Sequence, residues 1–381
     1  MRRFILSISI LSAAAILPAE AAIDTTAEHG LLMDAASGQV LWQKDGLTPM
    51  PPASMSKLMT LELLFQRLKD GRMKLTDTLP VSERAWRTQG SKMFVELHAQ
   101  IPVEALIRGI IIDSGNDACV VVAEGLGGTV EGFADMMNKR AKELGLAQSH
   151  FVNPDGLPDP PGQLMSALDL AKLSRHLIRD YPSFYHYFSE KEFTWHNITQ
   201  PNRDLVLDSL PGADGLKTGH IDASGYGITI SAVRNGTRFI LVLNGLRYPQ
   251  YHNDYFPNIK RAEEAGRVMD VAFREFRSFP ITAANQVVGE VPVMDGAEPS
   301  VPVTPREAVA ATMQVDSRKG MKTVVKTDAG LTAPIAQGQR VGSMTVTAPD
   351  FPALTVPVYA AKPVDRANIF LRGWNRFFGK H

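Results

Sequence analysis

The segment from Ser54 to Leu68 constrains the fold most. Its apolar residues Leu58, Met59, Leu61, Leu63, Leu64, Phe65 and Leu68 cover nearly every face of a helix at 3.6 residues per turn. A helix apolar all round belongs inside a core, so the rest of the chain must wrap around it. Lys57 stands one turn in from its start, where an amine has little water to reach. The chain has 381 residues, 44% of them hydrophobic and 21% charged, which allows a sizeable core and two or three domains. Lys plus Arg and Asp plus Glu are both 40, so nothing in the bulk charge attracts the chain to nucleic acid.

Around this helix the pattern predicts a sheet whose strands come from both ends of one domain. The runs Gly30 to Asp34 and Gln39 to Trp42, separated by Ala35-Ala36-Ser37-Gly38, predict a hairpin. Tyr226, Ile228, Ile230 and Ala232 alternate with small or polar residues, and Asn235-Gly236 turns the chain into a return strand from Arg238 to Leu243. Between these lies a helical middle: Val103 to Gly145, broken at Asp113 to Asn116, and Ala167 to Asp180. Ala262 to Phe276 predicts a last helix. Beyond Phe279-Pro280 the chain turns rich in Val, Thr, Pro and Gly, with short alternating runs at Val287 to Val293, Met321 to Thr327, Met344 to Thr347 and Leu354 to Tyr359. These predict a small all-β domain. The organisation expected is a leader over 1–21, an α/β (α+β) domain over 22–278, a β domain over 279–361 and a tail over 362–381.

The two ends differ from the middle. Arg2 and Arg3 precede an apolar stretch from Phe4 to Leu17, and Pro18-Ala19-Glu20-Ala21-Ala22 follows with small residues at cutting positions. This predicts an export signal cleaved after Ala21, with Ala22 as the neighbouring option, rather than a membrane span, which needs ~20 apolar residues. No cysteine lies near the cut, against a lipoprotein. The only cysteine, Cys119, cannot form an internal disulfide and lies among Val120, Val121 and Val122 as a core residue. At the other end Ala367, Phe370, Leu371, Trp374, Phe377 and Phe378 share one helical face, with Arg366, Arg372, Asn375, Arg376 and Lys380 around the rest. A basic helix with an aromatic stripe suits a membrane interface, and a helix packed on its own domain is the alternative.

Three short motifs carry chemistry. Ser54-Met55-Ser56-Lys57 places an amine one turn from a hydroxyl, on the same face if Ser54 starts the helix. Burial and nearby positive charge would keep that amine neutral, able to take the hydroxyl proton. Ser56 should face elsewhere and give structural support. Ser114-Gly115-Asn116 follows 60 residues after Ser54, and Lys217-Thr218-Gly219 follows 103 residues after Ser114. A lysine and a hydroxyl beside a glycine suit a strand that binds an anion, the glycine leaving room for substrate along the strand edge. Alone, these motifs read as a helix cap, a loop and a blunted edge strand. In this order, on helix start, loop and strand, they form the set used by serine acyl-transfer enzymes that handle β-lactams, with S-G-N as the second motif. The nine histidines show no metal-ligand spacing, so neither a metal nor another cofactor is expected.

With these residues in place, the sequence resembles the low-molecular-mass penicillin-binding proteins that are D-alanyl-D-alanine carboxypeptidases, peptidase family S11. The resemblance extends over Gly90-Ser91-Lys92-Met93-Phe94, Ser114 to Cys119, His150-Phe151-Val152-Asn153-Pro154, Tyr187 to Phe193 and Asp214 to His220. Ile335 to Gly342 resembles the family's C-terminal β domain. The resemblance implies a serine β-lactamase/transpeptidase-like domain followed by the β domain and a C-terminal amphipathic helix. It implies that Ser54 is acylated, that Lys57 is its general base and that Ser114 relays protons. Asn116 would hold the amide of the acyl group. Lys217, Thr218 and Arg261 would hold the terminal carboxylate, and Arg203 would face the cleft. Backbone N–H groups of Ser54 and His220, next to Gly219, would form the oxyanion hole. The implied partners are a peptidoglycan pentapeptide ending in D-Ala-D-Ala, β-lactam antibiotics as covalent inhibitors, and the cytoplasmic membrane surface. The implied place is the periplasm, on the outer face of the cytoplasmic membrane.

Three other functions compete with the D,D-carboxypeptidase. A D,D-endopeptidase on cross-links would use the same motifs. A serine β-lactamase would want a glutamate-bearing loop, and no Glu-x-x-Leu-Asn lies between Ser114 and Lys217. A silent wall-binding protein would not need Ser54, Lys57, Asn116 and Lys217 together.

Overall fold

The computed structural model describes residues 23–328 and 330–368. The expected leader, and the tail stripe from Phe370 to Phe378, lie outside the described residues. The chain divides into two compact units. Among the described residues, one holds 23–281 with Ala310–Met313, and the other holds Thr282–Val309, 314–328 and 330–368.

The first unit is built on a five-stranded antiparallel sheet. Its strand order is Val40–Lys44, His29–Asp34, Thr237–Leu246, Gly225–Arg234, Ala213–Ile221. Both hairpins expected from the sequence are present, and Arg234 pairs with Thr237 across Asn235-Gly236. Asn235 and Gly236 both take positive φ, 50° and 77°, as this two-residue turn requires. The Ala213–Ile221 strand, which carries the K-T-G residues, ends the sheet and so keeps one edge unpaired by the sheet.

The Lys57–Lys69 helix is the centre of the helical layer, as its apolar surface demands. Leu58, Met59, Leu61, Leu64 and Phe65 are fully buried. Phe65 packs against Phe184, Phe188 and Tyr181. Each such side chain contributes ~1.5–3 kcal/mol by leaving water. Glu62 on the same helix is also fully buried. Its Oε1 pairs with Arg140 Nε at 2.7 Å and accepts from the Tyr181 hydroxyl, and its Oε2 lies 3.2 Å from His176 Nε2.

Three elements differ from expectation. The helix does not begin at Ser54: Ala53–Ser56 form a 3-10 turn, and the α-helix starts at Lys57. The segment from Val103 on forms three helices, Val103–Ile111, Asn116–Gly127 and Val130–Glu143. The extra break falls at Gly128, where φ is 77°, and Thr129 then caps the next helix by accepting from the Gly132 N–H. The last helix spans Tyr255–Glu275 and starts seven residues earlier than expected, because its first-turn aromatics Tyr255 and Phe256 are exposed and so do not continue the buried apolar stripe. Pro257 is tolerated there, since first-turn N–H groups have no partner inside the helix.

The second unit has a five-stranded antiparallel sheet in the order Gly289–Pro292, Ser300–Thr304, Phe351–Ala360, Arg340–Ala348, Lys322–Thr327. Val291, Val301, Val303, Val341, Met344, Val346 and Val358 are buried. The chain stays with this unit past residue 361: Val364 bridges to Ile335, Arg366 to Gly296, and the Ala367 N–H donates to Asp295 O. Ala367, expected on the membrane-facing stripe, is 4% exposed here. No helix among the described residues is long and apolar enough to cross a membrane.

Candidate active site

Ser54 sits on the 3-10 turn, where residues three apart eclipse one another. This keeps Lys57 directly beside it although the α-helix starts later. Lys57 Nζ lies 2.6 Å from Ser54 Oγ, 2.8 Å from Asn116 Oδ1 and 2.6 Å from the Asp155 carbonyl oxygen. It is fully buried. Burial lowers its pKa and Arg203 adds to that, while Cys119, Asp155 and Asp117 act the other way. A neutral amine has two N–H donors and one lone pair. A neutral form that donates to Asn116 Oδ1 and the Asp155 carbonyl has its lone pair left on the side of Ser54 Oγ.

The S-x-N loop reaches the same point from the next helix. Ser114 has φ 57°, a conformation strained for a residue with a side chain, and its Oγ accepts from Lys217 Nζ at 3.0 Å. Asn116 starts the Asn116–Gly127 helix. It donates from Nδ2 to Gln89 O at 2.7 Å and from its backbone N–H to Ser91 O at 2.8 Å, so it ties the loop around Ser91 to Lys57. One Nδ2 hydrogen remains for another acceptor.

Lys217 comes from the edge strand and is 1% exposed. Burial pushes its pKa well down, and Lys57, Arg203 and Arg261 push it further. Gly219 is where the strand meets the serine turn: a Cβ there would stand 2.8 Å from Pro52 O and 3.2 Å from Ala53 Cβ. The space expected for substrate at this glycine is therefore partly occupied by the nucleophile's own turn. Arg261 is 3% exposed, donates to Gly219 O and Arg203 O at 3.3 and 3.4 Å, and is brought down to about 10 by burial. Arg203 Nε donates to the Asp113 carbonyl at 3.1 Å. His220 stacks on Tyr226 with ring centres 3.8 Å apart, and burial lowers its pKa.

These residues surround a cavity of about 230 Å³, lined by Ser54, Ser91, Ser114, Arg203, Thr218, Gly219, His220, Asp254, Asn258 and Arg261. Lys57, Asn116 and Lys217 are not among its lining residues; Lys57 hydrogen-bonds to Ser54 and Asn116, and Lys217 to Ser114. Cys119 and Ser56 take the structural places expected of them: Cys119 is buried, and Ser56 Oγ donates to Ala53 O. Asp254 and Asn258 were not foreseen. They fall with Arg261 on one helical face at spacings of four and three, a signal hidden while the helix is read as starting at Ala262. Asp155 also escapes sequence reading, because it acts through its carbonyl. A larger cavity of about 560 Å³ by Arg234, Asp270 and Arg277 contains none of the motif residues.

A serine hydroxyl against a buried amine, opening on a pocket with two arginines, defines a serine hydrolase for acyl groups next to an anion. Comparison with known proteins agrees with this class. The sequence model of the D-alanyl-D-alanine carboxypeptidase family matches residues 16–246, and that of the penicillin-binding protein 5 C-terminal domain matches residues 276–366. The chain is 34% identical to D-alanyl-D-alanine carboxypeptidase DacA of Haemophilus influenzae, over 92% of this chain and 88% of that protein. It superposes on the crystal structure of penicillin binding protein 5 from Haemophilus influenzae with TM-score 0.80 and 33% identity, over 90% of this chain and 98% of that one. The ampicillin-bound form of penicillin-binding protein D2 from Listeria monocytogenes gives TM-score 0.57 at 26% identity, over 65% of this chain and 97% of that one. The chain belongs to the D-alanyl-D-alanine carboxypeptidase family, peptidase S11. It is a serine carboxypeptidase acting on peptidoglycan, with a mixed α/β penicillin-binding domain followed by a C-terminal β domain.

Proposed function

We propose that the residues act as follows on a stem peptide ending in D-Ala-D-Ala. Ser54 Oγ attacks the carbonyl of the penultimate D-alanine while Lys57 Nζ takes its proton. The backbone N–H groups of Ser54 and His220 stabilise the oxyanion that forms. The peptide C–N bond breaks, and the proton passes through Ser114 to the leaving amine. Water then hydrolyses the Ser54 ester. Lys217, Thr218, Arg203 and Arg261 hold the terminal carboxylate, and Asn116 the amide of the acyl group. The contact of 2.6 Å between Nζ of the fully buried Lys57 and Ser54 Oγ at the cavity wall carries this reading.

β-Lactams present an acyl group and a carboxylate in the same relation, so they acylate Ser54 and inhibit. The mass change of a defined pentapeptide tests the activity. Loss of one alanine supports the carboxypeptidase; cleavage of a cross-linked dimer adds endopeptidase action. A labelled penicillin recovered on a peptide holding Ser56 but not on Ser54 would refute the nucleophile.

The working enzyme is exported by its leader, residues 1–21, and acts in the periplasm. Its tail lies as an amphipathic helix on the outer face of the cytoplasmic membrane, with Phe370, Leu371, Trp374, Phe377 and Phe378 in the interface and Arg372, Arg376 and Lys380 on anionic headgroups. Because Val364 to Ala367 are engaged by the β domain, the anchor begins after them.

A further inference from the structure

Asp113 stands between the Val103–Ile111 helix and Ser114, and it belongs to none of the three motifs. It is 1% exposed. Both carboxyl oxygens are buried, and among the described residues neither has a hydrogen-bond partner. A buried carboxylate without donors is costly, so the group exchanges charge readily for a proton. Three charges on other elements act on its charge through space without a contact to the carboxyl group. They are Arg203 from the loop after the Ile198–Pro201 strand, Asp117 from the Asn116–Gly127 helix and Lys217 from the Ala213–Ile221 strand. The hydrogen bond from Arg203 Nε to the Asp113 backbone carbonyl brings the guanidinium beside this residue and leaves the carboxyl group itself unpaired.

We propose that Asp113 is a positioning residue that sets the charge of the carboxylate pocket: ionised, it competes with the substrate's terminal carboxylate for Arg203, and protonated, it leaves Arg203 to the substrate. This rests on Arg203 facing that carboxylate. Burial raises the Asp113 carboxyl to about 7, with Asp117 adding to the rise and Arg203 and Lys217 opposing it. The switch therefore operates near neutrality. Below that value the pocket carries one more net positive charge than above it. By linkage, a carboxylate entering the pocket at alkaline pH draws one proton from solvent onto Asp113, and no other bond changes. The enzyme thus binds its substrate more tightly as its surroundings acidify. Lys57 must still lose its proton for acylation, so binding and chemistry respond to pH in opposite directions.

The test measures KM and kcat for a peptide ending in D-Ala-D-Ala from roughly pH 5.5 to 8.5, on both sides of the ordinary His range. Full-length wild type, Asp113→Asn and Arg203→Ala are compared. In wild type KM should rise about five- to tenfold toward the alkaline end, within the usual span of coupling between sites. Asp113→Asn should hold the low KM throughout, while kcat keeps its own pH limb. An Asp113→Asn profile that follows wild type overturns the proposal. An Arg203→Ala enzyme with normal KM at every pH refutes Arg203's place at the carboxylate, and the proposal with it. Raised KM in Arg203→Ala with no change in Asp113→Asn refutes Asp113 alone. Should the Asn variant not fold, calorimetry on wild type decides: the tetrapeptide product, titrated in two buffers of different ionisation enthalpy above pH 7, should take up close to one proton. No uptake overturns the proposal.

Discussion

Gly219 approaches Pro52 so closely that a β-carbon on it would lie 2.8 Å from the Pro52 carbonyl oxygen. Two segments 167 residues apart in sequence, the end of the K-T-G motif and the entry to the serine turn, are thus set against each other by a missing methyl group. Pro52 and Ala53 are backbone neighbours of Ser54, so any displacement there moves the nucleophile.

Gly219→Ala should therefore act on rate more than on stability. The strand or the serine turn must shift by a few tenths of an ångström or more, and misplacing a reacting group by about 1 Å can cost ~10²-fold in rate. The expected result is acylation by a labelled penicillin slowed by one to two orders of magnitude, with a cooperative melt retained. Acylation at the wild-type rate would show that the contact relaxes without moving Ser54.

Lys57→Arg should lose acylation although the charge is kept. A guanidinium stays protonated and has no lone pair to accept the Ser54 proton. It must also fit where Lys57 is fully buried among Ser54, Asn116 and the Asp155 carbonyl. The fall should be about 10²–10⁴-fold in the acylation rate, read by stopped-flow mixing with a chromogenic cephalosporin. Near-normal rates would assign the base to another group.

Asp117→Asn should loosen one wall of the cleft. The buried Asp117 carboxylate accepts the N–H groups of Met93, Phe94, Val95 and Ala118 at 2.9–3.1 Å. An amide turns two hydrogens toward donors, so at least one N–H loses its partner, at about 1–3 kcal/mol. In a domain of this size that lowers the melting temperature by roughly 2–4 °C per kcal/mol. Because the same loop carries Ser91 into the cavity, KM should rise more than kcat falls. An unchanged melt with unchanged KM would show that the loop is held without Asp117.

Truncation after Asn368 should release the enzyme from anionic vesicles and leave its activity on small peptides intact. The cut spares Val364, Arg366 and Ala367, which the β domain engages, and removes the aromatic stripe. Burying one Phe or Leu contributes ~1.5–3 kcal/mol, so high salt should only partly detach the full-length protein. Sedimentation of the truncated chain with the vesicles would place the attachment elsewhere.

Periodicity and composition determined a good deal of this protein without coordinates. The buried helix, the two hairpins of the main sheet, the Ala167–Asp180 helix and the β character after Phe279 all follow from local patterns of apolar and turn-forming residues. The three motifs are local too, since each spans at most four residues and announces its chemistry by residue type. Their meeting is not local. That Lys57 touches Asn116, 59 residues on, and the Asp155 carbonyl, 98 residues on, depends on how the helices pack. A backbone carbonyl carries no residue-type signal, so Asp155 was invisible in the sequence. The same holds for the charge state of the site. The depressed Lys57 and Lys217 and the raised Asp113 arise from burial and from neighbours on other elements. Sequence names the ionisable groups, but desolvation and Coulomb terms depend on distances through space, and only the tertiary structure sets those.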